Sequence, residues 1–174
     1  MKPVRLSLPI LALLALAACA GADVYAPKAE PSFYRDLGQP GAQLDTAAAA
    51  SMISGYRANN GLSAVTLDPE LTRLAQAQAD VMAKRDKLDH SAGKPFVARL
   101  KASGYDAKSA AENISAGYHT LAEAFSGWRD SPPHRANMLL KGATRIGIAA
   151  VYTSSSKYKV YWALILAEPE DKKG

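Results

Sequence analysis

The chain has three imidazoles, His90, His119 and His134, and one carboxylate, Glu112, spaced evenly between two of them. A neutral imidazole binds a metal ion or accepts a proton near neutral pH. His90 precedes Glu112 by 22 residues and His134 follows it by 22. Such a separation says nothing about proximity, so local context has to speak. His134 stands three residues after Ser131, in the proline-primed helix start Ser131-Pro132-Pro133-His134. The positive end of a helix dipole disfavours imidazolium there and leaves a ring able to ligate or accept. His90 follows a helix end, in the loop-like run Leu88-Asp89-His90-Ser91. His119 directly precedes the capping-box Thr120 and reads as a surface residue without chemistry. Ser115 and Ser131 lack the strained elbow of a nucleophile, and Ser131 already serves as an N-cap. Two readings of His90, Glu112 and His134 stand side by side. They form a solvent-facing site, or a satisfied buried network in which Glu112 accepts from both rings.

The elements that must position these groups follow from periodicity. Ala49, Met52, Ile53 and Tyr56 recur at helical spacing from Thr46, and Asn59-Asn60-Gly61 stops that helix. Asp68-Pro69 starts the next one, with Leu71, Leu74, Ala75, Val81 and Met82 on its inner stripe, fading near Arg85-Asp86-Lys87. A shorter helix is expected from Pro95 to Ala102. Ala111-Glu112-Asn113-Ile114-Ser115 reads as a short extended segment. Thr120 and Glu123 form a capping box that opens a helix through Trp128, and Ser131-Pro132-Pro133 opens another. Ile146, Ile148, Ala150 and Tyr152 alternate, as do Tyr158, Val160, Trp162, Leu164 and Leu166. A turn at residues 154–157 joins them as an antiparallel hairpin. Helices first and a hairpin last suggest a sheet covered by helices. Trp128 and Trp162 read as core residues.

The N-terminus carries a different kind of chemistry. Lys2 and Arg5 precede an apolar stretch from Leu6 to Ala18, too short to span a bilayer comfortably. It ends in Leu16-Ala17-Ala18-Cys19, which resembles the lipobox of bacterial lipoproteins. That resemblance implies a signal peptide over residues 1–18 and a lipid on Cys19, which becomes the new N-terminus; an ordinary signal peptide cut after an Ala-x-Ala pattern and an uncleaved anchor are the alternatives. Cys19 is the single cysteine, so no intramolecular disulfide forms and the fold rests on its apolar core. Residues 19–45 hold three prolines and three glycines without periodicity and are read as a tether reaching about 25–30 Å; the alternative is that its aromatics Tyr25, Phe33 and Tyr34 pack the segment onto the domain. The domain is expected over 46–168 and a tail over 169–174. The formal charge of +5 falls to +3 when Lys2 and Arg5 are removed, 19 basic against 16 acidic. That balance is no nucleic-acid signature. The chain is read as a monomer held at the membrane by its lipid. Ala20 after the cysteine is compatible with the periplasmic side of an outer membrane in a double-membraned cell.

Several short runs, in order, resemble one family. Ala111-Glu112-Asn113-Ile114-Ser115 is similar to the "(G/A)EN(I/L)" motif of the CAP superfamily (cysteine-rich secretory proteins, antigen five, pathogenesis-related proteins). The run from Trp128 through Ser131, His134, Arg135 and Asn137 to Leu139 resembles its second signature in bacterial form. Arg145-Ile146-Gly147-Ile148, Tyr161-Trp162, the helix around Tyr56-Arg57 and the Asp89-His90-Ser91 histidine complete the likeness over about residues 46–168. The resemblance implies an α+β fold, an α-β-α sandwich with a mostly antiparallel central sheet. It implies a cleft in which His90, Glu112 and His134 face solvent and hold zinc or another divalent cation, as in some members. The chain departs from the family's four-residue set, because Ser131 stands where a second glutamate is found. Two functions are carried forward. One is a binding module for a cation, a lipid-like ligand or an envelope protein. The alternative is a zinc-dependent hydrolase with Glu112 as third ligand or general base. The missing second carboxylate favours binding.

Overall fold

A computed structural model describes residues 30–170, so Cys19 and the segment around it lie outside the described residues. Five α-helices and a four-stranded sheet make up the domain. In chain order they are α1 (Thr46–Ala58), β1 (Thr66–Leu67), α2 (Pro69–Arg85), α3 (Phe96–Ala102), β2 (Ala107–Ala116), α4 (Leu121–Asp130), α5 (Pro132–Met138), β3 (Arg145–Tyr152) and β4 (Val160–Pro169).

The caps explain where these helices begin. Asp45 accepts from the Ala48 N–H at α1, and Asp68 accepts from the Glu70 and Leu71 N–H groups at α2, with Pro69 at the first helical position. Thr120 and Glu123 cap α4 reciprocally, as their spacing predicts. Asp86 ends α2 in the left-handed region with φ 49°.

The strand order is β1-β3-β4-β2. β3 and β4 pair antiparallel, as do β2 and β4, whereas β1 runs parallel to β3. The expectation of a mostly antiparallel sheet is therefore corrected: the sheet is mixed. The two residues of β1, both exposed, are too few to leave a period in the sequence. They lie beside β3 because the chain must pass there to feed the capped start of α2, which crosses the same strand.

β4 is buried on both sides and separates two cores. Tyr161, Ala163, Ile165 and Ala167 face α2, against Leu71, Leu74, Ala75, Ala79 and Met82. Trp162, Leu164 and Leu166 face α1, α4 and α5, against Ile53, Leu121, Trp128 and Met138. Each large side chain buried this way contributes about 1.5–3 kcal/mol. The Trp128 and Trp162 rings meet edge to face, with centroids 6.3 Å apart. Gly147 on β3 lets the first turn of α2 lie directly on the sheet. A Cβ there would stand 2.1 Å from the Leu71 carbonyl carbon.

The segment read as a tether behaves differently where it is described. Ser32–Tyr34 form a 3-10 turn, the buried Leu37 donates its N–H to the His119 carbonyl at 2.7 Å, and Phe33, Ala42 and Leu44 pack on the α1–α4 core. The aromatic residues of the segment are the sequence sign of such docking, and Phe33 is one that packs; the segment has no period to add to it. At the other end β4 continues through Pro169, into the stretch read as a tail, and Glu170 donates its N–H to Asp106. Among the described residues no helix is long and apolar enough to cross a membrane.

Candidate functional site

β2 is an edge strand, and Glu112 projects from it with its side chain 2% exposed. A buried carboxylate needs partners for both oxygens, and Glu112 has them. His90 Nδ1 lies 2.8 Å from Oε1, and Arg99 Nη2 donates to Oε2 at 2.6 Å. A carboxylate facing a guanidinium accepts only, so the imidazole Nδ1–H is the donor. That fixes the tautomer of neutral His90 and turns its Nε2 lone pair outward from a ring that is about half exposed.

Three side chains fix the loop that carries His90. Gln78, buried on α2, donates to the Asp89 carbonyl at 2.8 Å. Asp89 accepts from the Ser91 N–H at 2.8 Å. From α3, Arg99 also reaches the carbonyls of Lys94, through Nε at 3.1 Å, and of His90, through Nη2 at 3.4 Å.

His134 arrives from α5, and an amide pair fastens that helix to β2. Asn137 Nδ2 donates to Asn113 Oδ1 at 2.9 Å and to the Glu112 carbonyl at 3.1 Å, while Asn113 Nδ2 donates to the His134 carbonyl at 2.9 Å. The His134 ring pairs with Ser131, whose Oγ lies 2.8 Å from Nδ1. Ser131 holds the N-cap position of α5, but its side chain makes no capping bond. Its expected role as a cap is corrected: the hydroxyl anchors the imidazole. Burial, then the charge of His90, push the His134 pKa below 6.5. Both effects favour the neutral ring.

Glu112 touches His90 and not His134, so the arrangement with both rings on one carboxylate does not form. Among the described residues no three His, Cys, Asp or Glu side chains stand together as metal ligands. An ion held by Glu112 would lie beside the Arg99 guanidinium that already contacts it, so the residues as arranged do not fit a two-His, one-Glu ion site. Glu112, 2% exposed and turned toward His90 and Arg99, is poorly placed to take a proton from a solvent-borne substrate, which disfavours the hydrolase. Ser131 and His134 make a local pair within one turn. No carboxylate hydrogen-bonds to His134 among the described residues, so the pair lacks the orienting third group of a nucleophile system. His119 is a surface residue that takes part in the α4 cap, its backbone N–H bonded to Glu123.

Arg99 and Gln78 are functional positions that sequence reasoning misses. Nothing in the spacing of residues 78, 99 and 112 marks them as neighbours. Asn113 and Asn137 lie inside recognisable runs, but only the fold gives them a shared task.

The profile of the CAP cysteine-rich secretory protein family matches residues 50–166. The uncharacterized protein YkwD of Bacillus subtilis is 32% identical over 124 residues, covering 63% of this chain and 48% of YkwD. This chain therefore spans about half the length of that curated relative. Two solved structures are similar in fold. An outer surface protein from Borrelia burgdorferi has a TM-score of 0.65 at 18% identity, over 75% of this chain and 99% of that one. An extracellular SCP-domain protein from Bacillus anthracis has a TM-score of 0.61 at 20% identity, over 70% of this chain and 39% of that one. On the match over residues 50–166, joined to the ordered runs around Glu112 and His134, the chain belongs to the CAP cysteine-rich secretory protein family.

Proposed function

We propose that the chain is a binding module displayed at the bacterial cell envelope, tethered by a lipid on Cys19 and acting by recognition rather than turnover. The observation that carries this reading is the state of Glu112. Its two oxygens hold His90 and Arg99 and its side chain is 2% exposed, so the buried carboxylate orients a ring and is withdrawn from a solvent-borne substrate. What remains for a ligand are two imidazole edges, His90 and the neutral His134, on helices and loops latched to an edge strand. A lipid-like molecule with a hydrogen-bonding head, or a loop of an envelope protein, suits such edges. The extracellular and surface labels of the Bacillus anthracis and Borrelia burgdorferi proteins support the placement outside the cytoplasm.

The test follows the two rings by NMR while phospholipid vesicles and solubilised envelope proteins are added in turn. Ester, peptide and glycan hydrolysis are measured on the same sample. Shifts of the His90 and His134 ring signals without turnover are expected. Turnover that disappears in Glu112→Gln would replace the binding module by the hydrolase. Mass spectrometry of the mature N-terminus checks the anchor, with diacylated or triacylated Cys19 the expected species.

A further inference from the structure

The Arg99 guanidinium occupies an unusual place. It sits in a nest of oxygens, with Glu112 Oε2 at 2.6 Å, the Lys94 carbonyl at 3.1 Å and the His90 carbonyl at 3.4 Å. Its carbon lies 5.4 Å from the centroid of the Phe96 ring, and its side chain is 11% exposed. One carboxylate and two carbonyls are the donor types that a hard divalent cation takes. Among the described residues Nη1 is buried and has no acceptor. An arginine kept buried with part of its donor set unbonded is held there for its charge more than for its hydrogen bonds.

We propose that Arg99 does for this site what a bound divalent cation would do. It neutralises the buried Glu112 carboxylate and fixes His90, so the His90 ring is positioned without metal. The positive charge is covalently attached, and it approaches His90 by two routes, through Glu112 to the ring and directly to the backbone carbonyl. A divalent ion would have to share the carboxylate with a guanidinium already in contact, and like charges at that range repel. Arg99 is therefore a positioning residue, and it also sets the site against divalent cations.

Calcium and zinc are titrated separately into the full chain, Arg99→Ala and Arg99→Ala/Glu112→Gln, with binding followed by calorimetry and Tm. Deleting the guanidinium leaves an oxygen-lined, negatively charged hole. Arg99→Ala is expected to bind calcium at least tenfold more tightly than the unaltered chain, and the added Glu112→Gln is expected to erase that gain. A purely structural role for Arg99 would lower Tm without creating any response to calcium. Where Arg99→Ala does not fold, Arg99→Gln decides, because it keeps an N–H for Glu112 and removes the charge; a smaller gain of the same kind is expected. The proposal is overturned if the unaltered chain already binds calcium or zinc with an affinity that Glu112→Gln abolishes. It is equally overturned if a folded Arg99 variant gains nothing.

Discussion

Arg57 offers the sharpest test of how the domain is held together. It is fully buried at the end of α1, where it donates four hydrogen bonds, all to backbone carbonyls. Nε reaches Ser63 at 2.9 Å, Nη1 reaches Met138 and Leu140 at 2.9 Å each, and Nη2 reaches Ala143 at 2.8 Å. Met138 and Leu140 lie at the C-terminal end of α5, where carbonyls have no helical partners and a cation is favoured by the dipole. Arg57 thus closes α5 from another helix. Arg57→Met fills much of the same volume without donors. Four bonds at about 1 kcal/mol each give ~4 kcal/mol, and orphaned buried acceptors push the loss higher. Against this, a cation taken out of water carries a desolvation penalty of several kcal/mol, which Met avoids. Carbonyls also tolerate a lost partner better than N–H groups do. The net expectation is a loss of about 2–4 kcal/mol. For a chain of this size that lowers Tm by roughly 5–15 °C. Thermal unfolding followed by circular dichroism reads it directly. Arg57→Lys, which keeps the charge but has three donors on one atom, should fall between the two. A methionine variant melting within about 2 °C of the parent would overturn this account, since the four carbonyls would then add no net stability.

Three further outcomes follow from the geometry. His134 has its pKa held below the unfolded value near 6.5, so the unfolded chain binds more protons below that pH. Stability is full above about pH 6.5 and declines as pH falls through it; Tm measured from pH 7 to 5 should drop more steeply for the parent than for His134→Gln, and equal slopes would count against it. Gly147→Ala drives a methyl group into the Leu71 backbone and should cost at least about 3 kcal/mol or prevent folding, read as soluble yield and Tm. Asn137→Ala removes the donor shared by Asn113 and the Glu112 carbonyl; a loss of about 1–3 kcal/mol is expected, with the His134 ring signals broadened or shifted by NMR. A variant with unchanged ring signals would mean that α5 is held by its apolar contacts alone.

Most of what is written locally can be read from the chain unaided, the Ser131 side chain being the exception. Helix α2 begins where Asp68-Pro69 says, α4 begins at the capping box of Thr120 and Glu123, and the alternation of Val160, Trp162, Leu164 and Leu166 marks a strand. These are short-range rules of hydrogen bonding and period, and one stretch of chain contains all they need. The ordered runs around Glu112 and His134 likewise point to the family and to where its cleft residues fall. The remaining features depend on which distant groups meet, and so belong to the folded molecule. The parallel pairing of β1 with β3, the docking of residues 31–45 and the union of Arg99 with Glu112 join segments whose separation leaves no periodic trace. The sequence supplies a carboxylate and two imidazoles. The fold alone determines that the carboxylate serves one imidazole and one guanidinium, since a buried charge takes the counter-charge that packing brings within reach.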